Sequence, residues 1–461
     1  MGLLGEVSST SIAGGLVSVD FVPVCTKAGG ILSEAEFECF PVILQRANEW
    51  LSKNPTLELK TCETVEFSTQ SSGALVNNTE SVYTLSGEGA NRYVRALRLW
   101  LQPRADGSSA VQQIGYYNIM PTIQMGRDVD INTTERLDTL IDQSNATFAT
   151  TPIQGSILTI ETIALRVSRT KGVDPDCTAW TERGAKKESF IYMLRLFFET
   201  GPPQYESIGI ADFVPGVLSE GRRSERPLLQ RFPHVLSKAH QWLLTQSSAM
   251  RAVNVQTLLY KQRWTSHMDT LRMTYTEDEM QSYYVRYLRV AYVIANPNAP
   301  PRHGGPMKLN CKLFTPGMLE PPKCCNTAGK FENQLQVRER MSGWTRATAA
   351  NVISVETIPM RVFSGAESSE GFDTMHTWNK IDTHSQSHYN DDGEGNSAVS
   401  GMMASSTGIH THTVESKGTE NYLTLYRVYL DGVYVDPPGY AEVGTSVETY
   451  MRQPYSECNI L

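Results

Sequence analysis

No stretch of this 461-residue chain runs apolar for 18 residues, so no membrane-spanning helix is expected. A surplus of basic residues is missing too. Forty-one Lys and Arg stand against 49 Asp and Glu, a formal net charge of −8. A nucleic-acid surface needs clustered cations, and the short group Arg222, Arg223 and Arg226 reads as a solvated loop. Met1 to Glu6 carry neither a basic region nor an apolar stretch, so no secretion signal is expected. The fingerprints of common enzymes are absent: no GxSxG, no Walker loop, no HExxH and no GxGxxG behind a strand. The eight cysteines do not recur at a constant spacing, which excludes a disulfide framework shared by repeated units and favours a reduced, cytoplasmic protein.

What is present is a fourfold recurrence. A strand-like segment ending in proline appears at Pro23, Pro121, Pro215 and Pro316, spaced by 98, 94 and 101 residues. Forty or forty-one residues after each proline comes Glu63-Thr64, Glu161-Thr162, Gln256-Thr257 and Glu356-Thr357. Between them stands an aromatic: Trp50, Phe148, Trp242 and Trp344. Each unit ends in an apolar strand with one arginine in register: Arg98, Arg195, Arg289 and Arg427. Recurrence at a fixed period is the signature of a repeat architecture.

Within the first unit, Val17, Val19 and Phe21 alternate as on a strand. Phe40-Pro41 then opens a helix whose Ile43, Leu44, Ala47, Trp50 and Leu51 make one apolar stripe. The third unit repeats these steps from Phe232-Pro233. Two strands follow, the Glu-Thr strand and the arginine strand; the latter is apolar on both faces and is expected at the centre of a sheet. The expected fold is α+β: four repeats of about 98 residues, each β-α-β-β with a helix on an antiparallel sheet. Units one and three resemble each other, as do two and four, which suggests two duplicated halves. The expected bounds are 1–105, 106–203, 204–300 and 301–440, with a tail at 441–461. In element order alone this resembles the dodecins, small flavin-binding proteins, and no flavin site is carried over.

The copies differ most in the fourth unit. The step from glutamate (or Gln256) to arginine is 35, 34, 33 and then 71 residues, so about 37 extra residues lie within about 364–420. That insertion holds His376, His384, His388, His410 and His412. The pairs His384/His388 and His410/His412 are the candidate zinc ligands, set against the plainer reading of a Ser/Gly-rich loop; no cofactor is expected otherwise. The recurrent Arg and Glu read as ion pairs between adjacent strands that bind each unit together. The final Cys458-Asn459-Ile460-Leu461 fits a prenylation signal and makes Cys458 the candidate lipidation site, giving peripheral contact with a membrane.

These features point to a non-enzymatic binding or scaffold protein, cytoplasmic and tethered through Cys458, whose partner is another protein. Three alternatives stand beside it. One is a carrier or sensor of a small apolar ligand, with a pocket between repeats lined by Trp50 and Trp242. A second is an enzyme with its site in the fourth repeat. The third is an extracellular or particle-forming structural protein, suggested by the glycosylation triplets at Asn77, Asn132 and Asn145.

Overall fold

The computed structural model describes residues 14–29, 35–69, 76, 78–86, 90–105, 107–122, 135–167, 172–183, 188–220, 227–262, 268–277, 283–296, 306–320, 330–362, 371–378, 419–438 and 440. Its helices are α1 (Phe40–Lys53), α2 (Leu137–Thr150), α3 (Phe232–Leu244) and α4 (Gln334–Thr348). Four small antiparallel sheets stand in a ring, one for each quarter of the sequence, with the inner strands of neighbouring sheets packed together.

Each sheet is built on a long middle strand: Ala90–Pro103, Glu188–Thr200, Tyr283–Ile294 or Thr419–Asp431. These are the arginine strands, and they do lie at the centre. One edge of each carries the Glu-Thr strand, here called the inner strand: Leu57–Thr69, Gly155–Arg166, Met250–Gln262 or Val352–Val362. The other edge carries two shorter strands end to end. One is the leading strand, Val17–Phe21, Ile114–Ile119, Ser207–Phe213 or Leu309–Phe314. The other belongs to a neighbouring quarter and was not anticipated from the sequence.

This exchange strand precedes the middle strand in the chain yet pairs elsewhere. Ala179–Arg183 pairs with the middle strand of the first segment, Thr274–Glu277 with that of the second, and His376–Trp378 with that of the third. Val82–Ser86 of the first segment pairs with the middle strand of the fourth and closes the circle. Placing this strand also relocates the fourth-segment insertion. The chain crosses from exchange strand to middle strand in three residues (87–89), four (184–187) and five (278–282), but in forty in the fourth segment (379–418).

The helices sit at the seams between sheets. Of the stripe read from the sequence, Ile43, Ala47 and Leu51 are buried and Leu44 and Trp50 partly so; with Phe40 they pack on their own sheet together with Ile114 and Phe197 of the next segment. α4 makes the corresponding core with Leu16 and Trp100 of the first segment. Apolar burial is roughly proportional to the area removed from water, so every helix contributes to two sheets at once. Each helix start is also covered from the next segment. The amide N–H groups of Phe40, Leu137, Phe232 and Gln334 donate to the carbonyls of Asp176, Leu271, Asp373 and Thr79 at 2.9, 3.0, 2.9 and 2.7 Å. Helices α1 to α3 have no side-chain N-cap; these carbonyls satisfy a donor that a cap leaves to other partners. α4 adds a capping box between Asn333 and Gln336.

Mid-helix polar groups tie each helix to the following leading strand. Asn48 both donates to and accepts from the Ile114 backbone (2.9 and 2.8 Å), Asn145 does the same with Ile208 (2.9 and 2.8 Å), and His240 Nδ1 meets the Leu309 carbonyl at 2.9 Å. Thr345 Oγ1 accepts from Leu16 N–H at 2.8 Å and completes the set. The amide of Asn145, one of the three glycosylation triplets, is therefore committed inside the fold.

Candidate functional site

The recurrent polar residues converge where the inner strands meet. Every inner strand carries a β-bulge three residues before its Glu or Gln, at Lys60, Leu158, Val253 and Ile353. A bulge bends a strand and re-aims the side chains after it. Here the re-aimed carboxylates reach across to the neighbouring inner strand.

The result is a closed circuit. Thr64 N–H donates to Glu161 Oε1 at 2.8 Å, and Thr162 N–H to Gln256 Oε1 at 2.7 Å. Thr257 N–H donates to Glu356 and Thr357 N–H to Glu63, which returns to the first segment. Gln256 serves as well as a glutamate because the bond needs only an oxygen acceptor.

Above this circuit lie the arginines, all four with side chains almost wholly buried. Arg98 donates to Thr357 Oγ1 at 2.9 Å, Arg289 to Thr162 Oγ1 at 3.1 Å and Arg427 to Thr257 Oγ1 at 2.8 Å. Arg195 instead bonds Asn118 Oδ1 at 2.9 Å and the Pro175 carbonyl at 2.6 Å. Each arginine does stand opposite its glutamate or glutamine in register. The ion pairs go elsewhere, however: Arg98 forks onto Asp20 (2.5 and 2.8 Å) and Arg289 onto Asp212 (2.8 and 2.7 Å). Sequence reasoning missed both acids. The signal was available, since Asp20 and Asp212 each stand three residues before the recurrent proline, where the other segments have Asn118 and Leu313.

Burial sets the electrostatics. It pushes the Glu63 carboxyl up to about 7, against Arg98 and the donors Thr357 and Trp100. It pushes Glu161 up to about 7, against the bonding of Thr64, and raises Glu356 as well. At Asp20 burial acts upward, but Arg98 and Arg338 together bring the carboxyl down to about 2. Such shifts mark active sites, and they equally mark structural ion networks. In this network the donors and acceptors meet one another: Glu356 takes Thr257 N–H, Thr257 Oγ1 and Tyr429 Oη, with Arg427 behind Thr257.

The other candidates separate into two groups. Trp50 and Trp242 are packing residues, edge-on to Phe21 and Phe213 at 6.3 and 5.7 Å. His376 is buried in an exchange strand, 3.3 Å from Thr374 Oγ1. His384, His388, His410, His412 and Cys458 lie outside the described residues. Among the described residues no three His, Cys, Asp or Glu side chains gather as a metal site, and no helix is long and apolar enough to cross a membrane. No protein-family model, curated protein or solved structure matches this chain.

Proposed function

We propose that the chain is a non-enzymatic binding scaffold. The observation that carries this reading is the use made of the recurrent Glu, Thr and Arg. Their polar atoms bond mainly to one another and to neighbouring backbone, joining quarter to quarter, which is what a rigid body needs and a catalytic centre does not. The four quarters are tandem copies descended from a duplicated pair. Alternation supports this: an Asp faces the arginine in segments one and three, and Phe-Pro opens their helices.

The binding element is the forty-residue connection 379–418, rich in Ser, Gly and His, which replaces crossings of three to five residues elsewhere. Long connections on a rigid body are where binding residues concentrate. A cleft among the described residues, lined by Phe148, Pro152, Ile153 and Tyr205, has room for only about 10 Å³, well short of the roughly 300 Å³ of a ligand pocket, so this cleft lends the carrier alternative no support.

The test exchanges 379–418 for the four-residue crossing 184–187 and compares cross-linked partners of the two proteins in their native cells. The reading expects thermal unfolding to stay within about 2 °C and a discrete partner to disappear. An identical partner set from both proteins would refute it.

A further inference from the structure

The seam between the first and second segments differs from the other three in two respects. On the axis, the Thr64 hydroxyl takes no arginine donor among the described residues, and Thr159 Oγ1 is buried without a hydrogen bond to a described residue. The corresponding hydroxyls of Thr162, Thr257 and Thr357 each accept from an arginine. This axial joint lacks the arginine-to-threonine bond that the other three share.

At the same seam, where α1 meets the exchange segment of its neighbour, two cysteines face each other. Phe40 N–H donates to the Asp176 carbonyl at 2.9 Å, and Thr178 Oγ1 donates to the Glu38 carbonyl at 2.6 Å. The two bonds join antiparallel stretches and bracket Cys39 and Cys177. These bonds, one backbone and one through the Thr178 side chain, set Cys39 and Cys177 on facing stretches across the seam, and a disulfide bridges such positions when their Cα atoms are about 4.4–6.8 Å apart. Both residues are exposed free thiols. At the other three crossings the matching positions hold Arg136 and Arg272, Arg231 and Thr374, and Asn333 and Glu80. Cysteine opposes cysteine at the one seam that lacks the arginine-to-threonine bond among the described residues.

We propose that Cys39 and Cys177 form a dithiol–disulfide site that ties the first segment to the second. The oxidant is a low-molecular-weight disulfide, RSSR. One cysteine thiolate attacks a sulfur of RSSR, forming a mixed disulfide and expelling RS⁻. The other cysteine, as thiolate, attacks the protein sulfur of that mixed disulfide and expels the second RS⁻. The two thiol protons end on the two expelled thiolates, so two protein thiols and RSSR become one protein disulfide and two RSH. Cys177 Sγ must first leave the Ala179 carbonyl, 3.1 Å away, by rotating an exposed side chain. The closed loop spans 177 − 39 = 138 residues, and a long loop restricts the unfolded chain most in the chain-entropy account. Oxidation therefore adds a covalent tie at the one seam without the arginine-to-threonine bond, and reduction removes it.

The test equilibrates the full-length protein in graded mixtures of oxidised and reduced glutathione, alkylates the remaining thiols and maps disulfide-linked peptides by mass. The expected result is a Cys39–Cys177 peptide that forms and disappears reversibly, with a rise of roughly 5 °C in Tm. In Cys39→Ser and Cys177→Ser both the peptide and the rise are lost, while the reduced proteins unfold within about 2 °C of the wild type. The proposal is overturned if both thiols are alkylated at every ratio, if either stops at a glutathione adduct, or if Cys39 links to another cysteine.

Discussion

Arg98 and Arg289 face Asp20 and Asp212 across the strand pair, whereas Arg195 and Arg427 face Asn118 and Leu313. The second pair is held differently. The Arg195 guanidinium lies 3.8 Å from the centroid of the Phe40 ring, and that of Arg427 lies 3.7 Å from Phe232. Those phenylalanines begin the helices of segments one and three; the matching residues in segments two and four are Leu137 and Gln334. A forked acid and a closely stacked helix-start ring thus alternate around the circle, although Arg98 and Arg289 also have rings 5.5–5.8 Å away and Arg195 has Asp176 at 3.7 Å. A desolvated cation over an aromatic face gains about 2 kcal/mol, and a forked carboxylate gives more attraction at a greater desolvation cost. The charge states follow. Burial pulls Arg98 and Arg289 down, yet Asp20 with Tyr426, and Tyr287 with Asp212, leave both above their ordinary value. Burial lowers Arg195 to about 10, because Glu161 and Asp176 offset it only in part. The same buried residue is kept by two chemistries, so retention of the arginine across the segments does not imply retention of its partner.

Breaking the comparison should show unequal effects. Arg289→Ala strands Asp212 in the interior and is expected to cost on the order of 3–5 kcal/mol in denaturant unfolding. Arg195→Met removes a cation that no carboxylate forks onto, although Glu161 stands opposite it in register and Asp176 lies 3.7 Å away, and should cost about 1–3 kcal/mol. Equal losses would mean that acid and ring hold the arginine alike.

The pH dependence sharpens the picture. Glu63 and Glu161 titrate near 7 when folded and near 4.5 when unfolded. The folded ring therefore keeps protons that the unfolded chain has released. That contribution is complete below pH 4.5 and is lost as pH rises through 7, by up to about 3 kcal/mol for each carboxyl. Asp20 acts in the opposite sense: its contribution is present above 3.8 and is lost as pH falls through about 2. Urea midpoints should accordingly be higher at pH 5 than at pH 8.

Glutamine substitutions divide the carboxylates. Glu63 accepts from Thr357 N–H, Thr357 Oγ1 and Trp100 Nε1, so Glu63→Gln sets an amide donor among donors and should destabilise by about 1–3 kcal/mol. Glu161 accepts from Thr64 N–H and, among the described residues, has no indole or phenol donor like those on Glu63 and Glu356, so Glu161→Gln should stabilise the protein at pH 8 by about 1 kcal/mol while flattening its pH profile. The smallest effect is expected at the exposed Arg136–Asp269 pair, where Arg136→Ala should change stability by no more than about 1 kcal/mol.

Part of this arrangement was readable in the residues. The stripe from Phe40 to Leu51 and its third-segment counterpart gave the helices, since a 3.6-residue period is a local property. The arginine strands were placed centrally because both their faces are apolar. The exchange strands were not readable. Val82–Ser86 is five residues long, and nothing local tells it to pair with Thr419–Leu423 of the last segment. The Glu-Thr recurrence marked the right residues but implied the wrong bonds. Strand neighbours follow from adjacency, whereas the acceptor role of Glu161 toward Thr64 depends on a bulge and on closure of the ring. Asp20 and Asp212 escaped notice because they occur in two segments of four.

Closure also bears on where the chain has to be cut. Gly15 abuts Ser342, and the Tyr440 phenol reaches Gly343, so the two ends of the described body meet on adjacent residues of α4. A circularly permuted gene, with Gly15 and Tyr440 joined by a short flexible linker and new termini placed between Gly201 and Gln204, should yield the same four sheets. In such a molecule the order of synthesis changes while the finished architecture does not.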